Sequence, residues 1–151
     1  MSDLHLGQHI SRQFNEELED VRSQVLHMGG VVETQLSNAL KVLLNDETEL
    51  VRDVLDADAL VNSFEVDIDE ECTRIVARRQ PAATDLRLIM TVSKTINELE
   101  RIGDEAKRVA RMSRKGMDGL LQDELMGELT QMANMVRSML RQVLDAFART
   151  D

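Results

Sequence analysis

The chain has no tryptophan and no tyrosine, and only three phenylalanines, one proline and one cysteine in 151 residues. Scarce aromatics and scarce turn residues argue against a β-rich fold, whose pleated surfaces favour aromatic and β-branched side chains. Near-absence of proline leaves long stretches free of the residue that interrupts helices. The single cysteine, Cys72, excludes an intramolecular disulfide and fits a reducing compartment. It falls on the apolar face of its segment and is expected to be a small buried hydrophobe. Basic charge is also in deficit: 18 Lys and Arg against 28 Asp and Glu give a net charge of -10. Such a surface repels phosphate backbones, so no nucleic-acid partner is expected. No apolar run approaches the length of a membrane span, and residues 1–7 lack the basic region and apolar core of a secretory signal. The expectation is a soluble cytoplasmic protein with no direct membrane insertion.

What remains is rich in Leu, Val, Glu, Asp, Arg and Met, the composition of long helices packed on one another. The length suits one domain with a real core. Apolar residues recur in steps of three and four, which predicts amphipathic helices over 8–44, 47–79, 83–114 and 119–149. The first carries Phe14, Leu18, Val21, Val25, Met28, Val32, Ala39 and Leu43 on one face. Gly29 and Gly30 lie inside it at a cost of about 1 kcal/mol each relative to Ala, and imply close helix packing or a slight bend. The second carries Leu50, Val54, Ala57, Val61, Phe64, Ile68, Cys72 and Ile75. Short breaks make consecutive helices antiparallel neighbours. Arg114 and Lys115 suit the negative end of the third helix, and Gly116 suits its C-terminal cap.

The stretch 80–106 is the centre of this pattern. Pro81 ends the second helix near Gln80, and Thr84 or Asp85 is suited to cap the next one. That third helix has two apolar stripes. Leu88, Val92, Leu99, Ile102, Ala106 and Val109 lie on one; Ile89, Ile96, Gly103 and Ala110 lie on the other, with Glu100 inside it. Two stripes imply neighbours on two sides and make this helix the expected hub. The fourth helix presents Leu121, Leu125, Leu129, Met132, Val136, Met139, Val143 and Phe147. With the hub already engaged, this stripe is expected to pack on a second chain, most simply in a two-fold homodimer.

Glu65 and Asp69 on the second helix share the i, i+4 spacing of Glu100 and Asp104 on the third. Counting outward from the Pro81 turn brings the two pairs level to within about one helical turn, ~5.4 Å. Four carboxylates so placed are unfavourable without proton uptake, basic side chains or a cation. Lys94, Arg101 and Lys107 are close enough in sequence to pair with them, and Asn62 is one turn before Glu65. Oxygen ligands of this kind suit Mg²⁺, Ca²⁺, Mn²⁺ or iron. Asp85 reads as a cap or first-turn acid and Arg87 as an interhelix ion-pair partner; the alternative for both is a partner-binding surface near the turn. His5, His9 and His27 have no metal-ligand spacing and read as surface residues. No Gly-rich phosphate loop, nucleophile motif or Glu-x-x-His di-iron motif is present, so no enzyme activity is expected.

QPAATDLR at 80–87, then Lys94, then LERIGDEA at 99–106 resembles the signature of the PhoU family, regulators of bacterial phosphate uptake and signalling. HMGGVVETQL at 27–36 and VLDAFARTD at 143–151 are similar to that family too. The resemblance implies an all-α fold: an antiparallel three-helix bundle over 1–116, then a fourth long helix, 117–151, from an incomplete second repeat. It implies that Glu65, Asp69, Glu100 and Asp104 hold metal ions, divalent or iron or zinc. It further implies a negative regulator of phosphate uptake and phosphate-starvation signalling. Such a protein is a non-catalytic adaptor between the ATPase of a Pst-type phosphate transporter and a PhoR-type sensor histidine kinase, reaching the inner membrane through those partners. The rival readings are a carboxylate-rich metal-binding bundle and an inert helical scaffold.

Overall fold

The computed structural model describes the backbone of residues 2–114 and 123–149. Those residues form four helices: α1 (Ser2–Asn45), α2 (Val51–Arg79), α3 (Ala83–Arg114) and α4 (Asp123–Arg149). A 3₁₀ turn, Thr48–Leu50, leads into α2, so that helix starts later than the apolar pattern implied. No strand occurs among the described residues. The 44 residues of α1 span about 66 Å at 1.5 Å per residue.

The connections follow from local chemistry. After α1, Asp46 adopts a left-handed conformation, φ 58°, which Asp tolerates better than most residues. The amides of Thr48 and Leu50 then donate to the carbonyls of Asp46 and Glu47. At the other end of α2, Gln80 is left-handed, φ 44° and ψ 61°, and its N–H caps the carbonyl of Val76. Pro81 makes this the stopping point, because it cannot continue the helix. α3 begins at Ala83, so Thr84 and Asp85 lie inside its first turn; neither is the cap. Asp85 is the first-turn acid that the helix dipole favours. α3 runs to Arg114; Lys115 and Gly116, expected to close it, fall outside the described residues, as does Leu121.

α1, α2 and α3 pack pairwise around one core. Val25, Met28, Val32 and Ala39 of α1 are fully buried with Val54, Val61 and Ile68 of α2 and with Ala106 and Ala110 of α3. Complete burial of each larger aliphatic side chain contributes roughly 1.5–3 kcal/mol. α3 uses both its stripes, as its pattern implied: Ile89, Val92, Ile96 and Leu99 are all buried. α1 also packs on all three other helices, α2, α3 and α4.

Gly29 is what admits α4. It is buried, and a Cβ placed there would overlap the side chain of Leu144. Gly30 faces open space. Of the two expected reasons for this pair, close packing holds at Gly29 alone. α4 therefore docks on its own bundle, in a groove on α1 that the two-striped reading of α3 did not anticipate. It docks by Ala133, Leu140 and Leu144, with Phe147 partly buried, and an Arg141–Glu33 pair at 3.2 Å flanks the contact. The stripe expected to need a partner stays exposed: Leu125, Met132, Val136, Met139 and Val143, joined by Met135.

Candidate functional site

Three polar side chains reach the seam between α2 and α3 from positions that the apolar pattern would have filled with hydrocarbon. Asp58 lies on the buried face of α2 between Val54 and Val61. Lys107 of α3 reaches across, its Nζ donating to Asp58 Oδ2 at 2.6 Å and to Asp104 Oδ1 at 3.2 Å. Gln35 of α1, 1% exposed, donates through Nε2 to the carbonyl oxygen of Val54 at 3.0 Å. Its Oε1 rests against Gly103, where an added Cβ would come within 2.8 Å. A side chain at Gly103 would have to displace the tip of Gln35. The other Asp58 oxygen, Oδ1, and Gln35 Oε1 are buried without a hydrogen-bond partner.

The carboxylates around Lys107 titrate unequally. Burial pushes Glu100 above the ordinary carboxylate value, and the neighbouring Asp104, Glu65 and Asp58 push it further. Burial acts on Asp104 in the same direction, but hydrogen bonds from Glu100 and Lys107 outweigh it and hold Asp104 below its ordinary value. Of the two, Glu100 is therefore the one that binds a proton more readily, and Asp104 the one that gives it up more readily. Lys107 is held above the ordinary lysine value, chiefly by its bond to Asp58.

Of the four carboxylates in the predicted ligand set, Glu100, Asp104 and Glu65 interact in this seam. Asp69 is exposed, and its charge acts instead on the Cys72 thiol. Among the described residues no group of three or more His, Cys, Asp or Glu side chains is placed to hold a metal ion. The cation that lies among these acids is Lys107, bonded to Asp58 and Asp104. Arg101 pairs within its own helix with Glu98, and Asn62 is exposed. Sequence reasoning missed Asp58 and Gln35; the available signal was a polar residue inside an apolar stripe.

A second polar link lies near the Pro81 turn. Arg79 grips Glu17 of α1 through Nη2 at 3.0 Å and Nε at 3.3 Å. This bidentate contact holds Glu17 below its ordinary value. Arg87, expected to pair between helices, is exposed and makes no ion pair among the described residues. His27 is exposed, as expected, with its ring 4.9 Å from that of Phe64. The side chains of His5 and His9 are outside the described residues. Cys72 is buried, and desolvation, aided by Asp69 and Glu71, pushes its thiol up to about 11.

Residues 25–113 match the PhoU domain family. The whole chain is 49% identical to the phosphate-specific transport system accessory protein PhoU of Serratia marcescens and to that of Escherichia coli (strain K12). It spans 62% of the length of each. Among solved structures, the crystal structure of PhoU from Pseudomonas aeruginosa superposes with a TM-score of 0.82 at 46% identity, over 90% of this chain and 65% of that one. The phosphate transport system regulatory protein PhoU from Streptococcus pneumoniae gives 0.80 at 28% identity, over 89% of this chain and 63% of that one.

Proposed function

Because the chain belongs to the PhoU family, we propose that it restrains phosphate uptake and phosphate-starvation signalling as a non-catalytic adaptor. Its partners in this reading are the ATPase of a Pst-type transporter and a PhoR-type histidine kinase. The observation that carries the reading is the 49% identity, which extends along all 151 residues to proteins named as accessories of phosphate-specific transport. An adaptor works by contacts that differ between partner states, and so needs exposed contact surface. Two regions offer it. One is the outer face of α4 with Met132, Met135, Met139 and Val143; the other is the start of α3, where Leu86 and Met90 are exposed beside the Pro81 turn. Flexible methionines suit a surface that meets more than one partner. The face of α4 is also the surface through which a homodimer would form.

The experiment is complementation. In bacteria deprived of their own PhoU and supplied with ample phosphate, expression of this chain should silence a phosphate-starvation reporter, and the transporter ATPase should co-purify with it. A folded chain that leaves the reporter fully active and captures neither partner would overturn the reading.

A second reading, in which Glu65, Asp69, Glu100 and Asp104 hold metal, draws support from the unpartnered Asp58 oxygen in the same seam. It requires stoichiometric metal in protein purified without added metal, lost on Glu100→Gln with Asp104→Asn.

A further inference from the structure

The protein is strongly acidic, yet the groove between α1 and α4 is not. Its volume is about 480 Å³, and every side chain lining it is polar. Lys41 comes from α1; Arg137 and Arg141 come from α4, one helical turn apart. Only one acid, Glu33, shares the lining with these three cations. Arg141 is paired with Glu33 at 3.2 Å and with Asp145 at 3.7 Å. Lys41 and Arg137 have no ion-pair partner among the described residues. In a chain with ten more acids than bases, two unneutralised cations facing one groove form a local field opposite in sign to that of the whole molecule.

We propose that this groove binds a small anion carrying two or more phosphate groups. Guanidinium forks match phosphate oxygens bidentately, and lysine adds a mobile point charge. The Ser37 and Ser138 hydroxyls line the same groove; Ser138 already accepts a bond from Gln142, which leaves its own O–H to donate. The Arg141–Glu33 pair is no obstacle. The Arg141 side chain is 65% exposed, and exposed pairs of this kind are held weakly enough to exchange for a better acceptor. The volume exceeds the needs of one phosphate and sits within the range of small-molecule sites. No aromatic side chain lines the groove, so a nucleobase would gain no stacking there. The selection is for the phosphate chain itself. This inference goes beyond the adaptor reading and does not rest on it.

The test is calorimetric titration of the full chain with tripolyphosphate and, separately, orthophosphate at physiological salt. Saturable binding of tripolyphosphate with one site per chain is expected, at least tenfold tighter than orthophosphate. Lys41→Gln with Arg137→Gln should weaken it tenfold or more. Arg101→Gln with Arg108→Gln removes the same charge from exposed positions on α3, outside the groove, and should change it less than twofold. All four side chains are exposed, and helical circular dichroism checks that each variant folds. No binding at millimolar tripolyphosphate, equal affinity for orthophosphate, or equal loss in both double variants would each overturn the proposal.

Discussion

Lys107 Nζ lies 2.6 Å from Asp58 Oδ2, so a single ammonium ties α3 to α2 across the polar seam. The Asp58 side chain is 12% exposed and that of Lys107 24%, so water screens this pair little. Removing one partner of such a pair strands the other charge. Lys107→Met should therefore destabilise the fold by on the order of 2 kcal/mol, the scale of a charged hydrogen bond, read as a lower urea midpoint. Asp58→Asn with Lys107→Met should recover part of that loss. A Lys107→Met protein as stable as the parent would show that the bond is not formed in solution.

Glu100 gives the seam a pH dependence. Its carboxyl is raised above the ordinary value of 4.5, so the folded state binds its proton more tightly than the unfolded state does. The stability this contributes is fully present below about pH 4.5 and is lost as pH rises through the folded value. Glu100→Gln carries no titrating proton. Its advantage over the parent should thus grow as pH climbs above 4.5 and vanish below it. Urea denaturation at a series of pH values reads this directly; an advantage that grows towards acid would reverse the assignment. Asp104, lowered by Glu100 and Lys107, acts oppositely. Its contribution is present above its ordinary value of 3.8 and lost as pH falls through the folded value.

The exposed face of α4 predicts a second copy as partner. Light scattering at micromolar concentration should show a dimer, and Val136→Asp with Val143→Asp should return it to a monomer. Both side chains are exposed, at 46% and 60%, so the substitutions should leave helix content and the urea midpoint of the three-helix core unchanged. A parent protein that is monomeric throughout this range would rule out a second copy as the occupant of that face.

The two adjacent glycines should respond in opposite directions. Gly29→Val places methyl groups against Leu144 and should loosen α4 from α1, seen as faster proteolysis of α4 with α1–α3 intact. Gly30→Ala meets open space and should raise stability by up to about 1 kcal/mol, through helix propensity alone. Equal behaviour of the two would mean that α4 does not seat at Gly29.

Much of the fold was legible because apolar periodicity reports burial directly. Val25, Met28 and Val32 in α1, and Val54, Val61 and Ile68 in α2, lie where steps of three and four put them. The end of α2 was legible from Pro81. The placement of α4 was not. Its apolar pattern suited either its own bundle or the expected second chain, and its seat on α1 turns on Leu144 meeting the bare backbone of Gly29, a complementarity between residues more than 100 positions apart. The seam was half legible. The spacing of Glu100 and Asp104 pointed to it, but i, i+4 carboxylates carry no information about which acid on the facing helix shares a cation. Asp58 took that role rather than Asp69, because Lys107 extends towards the buried face of α2.

The burial of Cys72 turns the molecule into its own stopwatch. The thiol is the only one in the chain, is 4% exposed, and ionises only near pH 11. A thiol-alkylating reagent needs both access and thiolate, and at neutral pH the folded state supplies neither. Modification must wait for the helices around Cys72 to part. The rate of labelling in native buffer then counts those openings. It can be followed by mass with no introduced probe, and it should slow whenever a ligand or partner holds the bundle closed.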